Sequence, residues 1–339
     1  DTTADNHPLG LERLLFLSPL SLLVDSIMLT MTPITALLRD IKISHTIFAM
    51  PFAILGAVMA GTMTGVPLER LGIGLFLTRY SFDSLGLQIL LVLICMILAR
   101  TSAMLSNRML DRHIDKINPR TAGRALPSGK ASLKTALILF FLINLLFVSA
   151  TSVFGLMWDN WLPLAFSIPV LLWLDCYPLF KRFTWMCHIF LGSSLALSPI
   201  AAAIAINPSL LEHLPIWLLS AAVLCWVAGF DIIYALQDVE CDVRDNLKSM
   251  PASFGIRPAM LISQVMHCGC VALLFSVSMY EPRFGTFFLI AVVVISFLLI
   301  VEHSTVKRWG TTKIALTFFT LNGIVSVVLG VAGVVDLLS

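Results

Sequence analysis

The chain reads as an all-α integral membrane protein, with about nine transmembrane helices bundled around a central cavity that opens to the cytoplasmic face. Three observations predict this. Of its 339 residues, 58% are hydrophobic and only 12% charged, against roughly 25% charged in soluble domains, and the mean hydropathy is +0.93. The apolar residues fall in long runs at 43–63, 86–106, 132–154, 160–178, 185–206, 214–236, 258–280, 284–303 and 315–337, near the roughly 20 residues that cross a bilayer. The basic residues lie mostly on one side of these runs.

The runs are rich in Leu, Ala, Val, Ile and Phe and lack strand-like alternation. Backbone groups in lipid must be satisfied within the segment or in a closed barrel, so such runs are expected to be helices. If the first run enters from the cytoplasm, the segments on that side hold most of the 22 Lys and Arg residues, and the opposite connections hold Arg70, Arg79 and Arg283. Cytoplasmic loops carry the basic excess, so the two longest polar connections, 107–131 and 237–257, face the cytoplasm. In a bacterium this would be the inner membrane. The net charge of +2 is uninformative alone, and no nucleic-acid partner is expected.

Residues 31–339 read as one membrane domain. Residues 1–30 carry an apolar patch, Leu14–Val24, that is broken by Ser18, Pro19 and Ser21. It is too short to span, and the segment reads as a leader or interfacial piece with no assigned role. Residues 66–85 read as a loop or interfacial helix on the far side. The seven cysteines lack metal-binding spacing and read as small hydrophobes in helices.

The chemistry is concentrated in the two polar connections. In NRMLDRHID, Asn107, Asp111 and Asp115 recur at i, i+4 and i+8, so all three would line one helix face at the end of the second run. Arg100 lies seven residues earlier on the same stripe. In DIIYALQDVECD, Tyr234, Asp238 and Asp242 repeat that spacing, and Asp231 lies seven residues before Asp238. Each motif is followed by a basic–hydroxyl pair, Arg120-Thr121 and Lys248-Ser249, and then by Pro127 and Pro251. Paired carboxylates at this spacing suit Mg²⁺, which keeps waters and bridges to substrate phosphates. Two such faces flanked by Arg120, Arg124, Lys181 and Lys248 suit a diphosphate, whose growing charge on departure they would neutralise.

A single DxxxD at a membrane boundary is more often a solvated helix end. Two matched copies on one face are harder to explain that way, because acids near lipid are costly and repel one another without a cation. A secondary transporter is the non-enzyme rival, but its acids belong near span centres, whereas these fall at span ends.

NRMLDRHIDKINPRTAGRALPSG and DIIYALQDVECD resemble the two signatures of the UbiA superfamily of intramembrane prenyltransferases. YPLFKRFTW resembles its Y-x-x-x-K-R segment, HTIFAMPFA also fits, and the resemblance runs over residues 39–339. It implies that Asn107, Asp111 and Asp115 bind one Mg²⁺–diphosphate face, and that Asp238 and Asp242 bind the other. It places Lys181 and Tyr177 at the diphosphate or the reacting carbon, Asp231 and Tyr234 deeper, and Arg120 and Arg124 on a covering loop. Glu240 and Cys241 stand where some members have further acids. The implied reaction is transfer of a polyprenyl group from its diphosphate to an aromatic acid, through an allylic cation that Tyr177 and Tyr234 could stabilise. The ring proton would pass to a carboxylate, the diphosphate or water.

FTWMCHIFLGSSLALSPIAAAIAI and GFDIIYALQDVE resemble the quinone-pathway branch. The acceptor this implies is 4-hydroxybenzoate, or alternatively a dihydroxynaphthoate of a menaquinone route. Arg100 is the candidate for its carboxylate.

Overall fold

The computed structural model describes residues 33–41, 48–63, 82–314 and 316–339. Residues 1–32, 42–47, 64–81 and 315 lie outside them, as do the 1–30 leader, the start of the first span and most of the far-side segment 66–85. The described residues are helical, with no strands. The longer helices are α1 (33–41), α2 (Met50–Gly61), α3 (Phe82–Leu110), α5 (Leu133–Trp158), α6 (Leu162–Cys176), α7 (Cys187–Ile206), α8 (Leu214–Ala235), α11 (Ile256–Tyr280), α12 (Thr286–Trp309) and α13 (Asn322–Leu338). Short helices α4 (Arg112–Ile117), α9 (Val239–Arg244) and α10 (Met250–Phe254) lie in the polar connections.

Among the described residues, eight segments are long and apolar enough to cross a membrane, and α2 is a shorter apolar helix. These eight match the second to ninth runs of the sequence, and the described part of the first run holds the twelve-residue α2. The second span also begins earlier than its hydropathy suggests, because residues 82–85 are already helical in α3. The last span starts in a wider π turn, Leu316–Leu321, before α13.

α8 packs against α7 and α11, α7 against α2, α2 against α13, and α13 against α12. α3 packs on α5 and α6 and also touches α2 and α7. The helices therefore surround an interior cavity. Outward faces are apolar, with Phe141 67%, Leu156 73% and Met279 83% exposed, as a lipid-facing surface requires.

Helix association in lipid depends on close packing and interhelical hydrogen bonds rather than hydrophobic burial. At Gly192 of α7, a Cβ would lie 2.6 Å from the Leu224 carbonyl oxygen of α8, so only glycine permits this contact. Ser220 and Ser263 donate across helix pairs to the Ala196 and Gly229 carbonyls, at 2.6 and 2.7 Å. Trp226 Nε1–H donates to Asn322 Oδ1 at 2.8 Å, and Asn322 Nδ2–H donates to Glu302 Oε1 at 3.0 Å. At the end away from the acids, Asp336 accepts the N–H groups of Gly285 and Phe288 at 2.8 Å each. It thereby caps the start of α12.

Candidate active site

Both acidic motifs sit where a long helix gives way to a short one. α3 ends at Leu110, Asp111 occupies the junction, and α4 carries Asp115. The N–H groups of Asp111 and Asp115 still reach the carbonyls of Asn107 and Asp111 at 3.0 and 2.8 Å. The i, i+4, i+8 relation thus survives the junction, and both acids are buried, at 3% and 6% exposed. The second motif departs from a continuous helix. After Ala235, the N–H groups of Leu236 and Asp238 bond three residues back, to Ile233 and Ala235. This tighter turn rotates Asp238 away from an ideal stripe before α9 begins.

The two ends meet. Asn118, which closes α4, donates Nδ2–H to Asp238 Oδ1 at 3.0 Å. Arg120 forks onto the same carboxylate, with Nε 3.0 Å from Oδ1 and Nη2 2.6 Å from Oδ2. It also donates to the Tyr234 hydroxyl at 3.3 Å and lies 5.6 Å from that ring's centre. Burial works against the Arg120 charge, but the Asp238 fork outweighs it and raises the guanidinium above its ordinary pKa.

Arg124 Nη1 donates to both Asp115 oxygens, at 2.8 and 2.7 Å. Asp111 is held by Lys181 Nζ and, at 3.2 Å, by Arg182 Nη2. Asp242 accepts from Ser249 Oγ at 2.6 Å. Burial pushes the Asp242 carboxyl above its ordinary pKa and the charge of Asp238 adds to this, while the Ser249 bond opposes it.

A cavity of about 680 Å³ opens below this acidic rim. It is lined by every candidate residue named from the sequence except Lys248: Arg100, Asn107, Asp111, Asp115, Arg120, Arg124, Tyr177, Lys181, Asp231, Tyr234, Asp238 and Asp242. Lys248 points elsewhere. Its ammonium donates to Asn246 Oδ1 at 3.0 Å, and its backbone N–H donates to the Lys181 carbonyl at 2.6 Å. It therefore ties the two polar connections together rather than lining the cavity. Asn107 Nδ2–H reaches the Tyr177 hydroxyl at 3.2 Å, joining the first motif to the Y-x-x-x-K-R segment. Much of the remaining wall is apolar, including Val92, Phe147, Phe154, Leu195 and Ala202.

Three contributors were not legible from spacing. Arg182 and Asn118 lie inside the sequence motifs, but only the fold shows them gripping Asp111 and Asp238. His188 of α7 places Nδ1 2.6 Å from Asp231 Oδ2. A lone histidine at the start of an apolar run gives no signal of its own.

The donor set fits Mg²⁺ in one particular manner. Among the described residues, no three His, Cys, Asp or Glu side chains are grouped to hold a metal ion. Mg²⁺ does not need such a cage, since it is usually bound through one or two carboxylates plus substrate phosphates. Each helix end offers a carboxylate pair for that purpose.

The UbiA prenyltransferase family pattern matches residues 71–324. The chain belongs to this family. A 4-hydroxybenzoate octaprenyltransferase of Yersinia pseudotuberculosis serotype IB is 36% identical over 163 residues, which is 48% of this chain and 54% of that protein. One from Psychromonas ingrahamii is 30% identical over 189 residues, covering 56% and 63% respectively. The matched stretch thus spans only about half to two-thirds of these relatives. An apo UbiA homologue from Aeropyrum pernix K1 superposes with a TM-score of 0.72 at 28% identity, covering 87% of this chain and 98% of that one. A UbiA homologue from Archaeoglobus fulgidus bound to GPP and Mg²⁺ has the same fold, with a TM-score of 0.61 at 18% identity and coverage of 90% and 100%.

Proposed function

We propose that this protein transfers a polyprenyl group from polyprenyl diphosphate to an aromatic acceptor, 4-hydroxybenzoate first among candidates, in quinone biosynthesis. The observation that carries the reading is the meeting of two acid-bearing helix ends, bridged by Arg120 and Asn118, at the mouth of one apolar cavity. Family membership and the names of the relatives support it.

The roles follow from the contacts. Lys181, Arg120 and Arg124 now neutralise Asp111, Asp238 and Asp115, and an arriving diphosphate gives those cations a second anionic partner. Asn107, Asp111, Asp115, Asp238 and Asp242 would hold Mg²⁺, which when bound would further neutralise the diphosphate charge. The basic groups at the rim stabilise the diphosphate as the allylic C–O bond breaks. The apolar wall takes the tail and keeps water from the resulting cation. The faces of Tyr177 and Tyr234, both at the cavity, attract that cation by about 0.5–2 kcal/mol each. Arg100, also at the cavity, pairs with the acceptor carboxylate. The ring carbon forms the new C–C bond as the diphosphate departs, and its proton passes to a carboxylate, the diphosphate or water. The acidic end faces the cytoplasm, in the inner membrane if the source is bacterial, because the basic connections gather there.

The deciding experiment is an acceptor panel. Membranes carrying the protein receive Mg²⁺, one polyprenyl diphosphate, and either 4-hydroxybenzoate or a dihydroxynaphthoate. Prenylated 4-hydroxybenzoate is the expected product. A prenylated naphthoate would move the protein to a menaquinone route, and no product from either acid would overturn the reading.

A further inference from the structure

We propose that His188 is the positioning residue for Asp231, locking that carboxylate in the cavity wall against the aromatic acceptor; the inference rests on the prenyl-transfer reading above. His188 is 3% exposed and Asp231 lies 2.6 Å from its Nδ1. Both residues line the cavity.

The other ring nitrogen sets the tautomer. His188 Nε2 is 3.2 Å from the backbone N of Met250, the first residue of α10. A backbone N–H only donates, so Nε2 carries a lone pair and the ring proton sits on Nδ1. That proton is donated to Asp231. The first N–H groups of a helix lack partners within it, so the imidazole meets a need of α10 as well. The α10 terminus therefore orients the imidazole, and the imidazole in turn orients the carboxylate.

Asp231 is placed to benefit. It lies on α8, seven residues before Asp238, deeper than the diphosphate rim, and its side chain is 21% exposed at the cavity. A carboxylate there accepts a hydrogen bond from a hydroxyl of the acceptor ring only if its oxygens are fixed. A freely rotating Asp231 would still admit the acceptor but would hold it less often in the attacking pose, and such pose losses lower turnover. Asn107, Lys181, Asp111, Asp115 and Asp238 make no hydrogen bond to either His188 or Asp231, and only Asp242, through Ser249 beside Met250, lies near the contact, so binding of the diphosphate substrate should depend on it far less than turnover does.

The test compares wild type, His188→Asn, His188→Leu, Asp231→Asn and the Leu/Asn double variant in membranes, measuring kcat and KM for both substrates. Asn is similar in shape to Leu and keeps an N–H that can reach Asp231. His188→Leu is expected to lose roughly 10-fold in kcat with KM for the polyprenyl diphosphate unchanged. His188→Asn should recover most of that loss, and the double variant should be no slower than Asp231→Asn alone, because the two residues act as one unit. Should His188→Leu fail to accumulate, His188→Ala takes its place against the same His188→Asn comparison. Unchanged kcat in the Leu or Ala variant would overturn the proposal. So would equal loss in the Asn variant, or effects that add in the double. An inactive wild type would instead overturn the prenyl-transfer reading itself.

Discussion

Arg120, which follows the first acidic motif, forks onto Asp238 of the second with contacts of 3.0 and 2.6 Å. One planar side chain thus spans the two halves of the site. Lysine keeps the charge but has no fork, so it cannot make both contacts in this geometry. Arg120→Lys is expected to lower kcat/KM for the polyprenyl diphosphate by roughly 10-fold, about 1.4 kcal/mol, as measured by radiolabelled transfer in membranes.

Asp111 and Asp238 each hold basic side chains that would otherwise face the site alone. Asp111→Ala or Asp238→Ala should abolish prenyl transfer while far-UV circular dichroism still reports the helical fold. Retained activity in both variants would refute their assigned place at the metal and diphosphate.

The Ser249 hydroxyl donates to a carboxylate, Asp242, that burial already raises above its ordinary pKa. A raised carboxyl binds its proton more readily in the fold than in the unfolded chain. The stability drawn from this group therefore falls as pH rises above its ordinary value of 3.8. The Ser249 bond favours the ionised form and limits that fall. Ser249→Ala should therefore cost about 1 kcal/mol near neutral pH, with the cost shrinking as Asp242 takes up its proton in acid. Melting temperatures of the two proteins across pH, without added divalent metal, would check this.

Gly192 permits the tight crossing of α7 over α8, where a Cβ would meet the Leu224 carbonyl at 2.6 Å. Backbone cannot yield as a flexible side chain can. Gly192→Ala is expected to cost about 1–3 kcal/mol, seen as a lower melting temperature. It should also reduce kcat, because α7 and α8 carry His188 and Asp231.

The spans were legible because a bilayer demands long apolar segments, and the first acid motif was legible because its spacing survives folding. Asn107, Asp111 and Asp115 kept their relation even though α3 ends between them. The tight turn at Leu236–Asp238 was not legible, since nothing in ALQD marks a helix whose N–H groups shift to carbonyls three residues back. Lys248 was read as a phosphate ligand from its likeness to Arg120 in the repeated pattern, but its ammonium bonds Asn246 instead. Pairings between remote segments, such as His188 with Asp231, come from the packing of α7 against α8, and no local signal encodes them.

The central claim is that both acidic ends grip one diphosphate. Isothermal titration of the purified protein with a non-reacting prenyl thiodiphosphate tests it most directly. One equivalent per chain should bind, only with Mg²⁺ present, and binding should be lost in Asp115→Asn and in Asp242→Asn alike. Full-affinity binding to a chain with either end disabled would contradict the shared site.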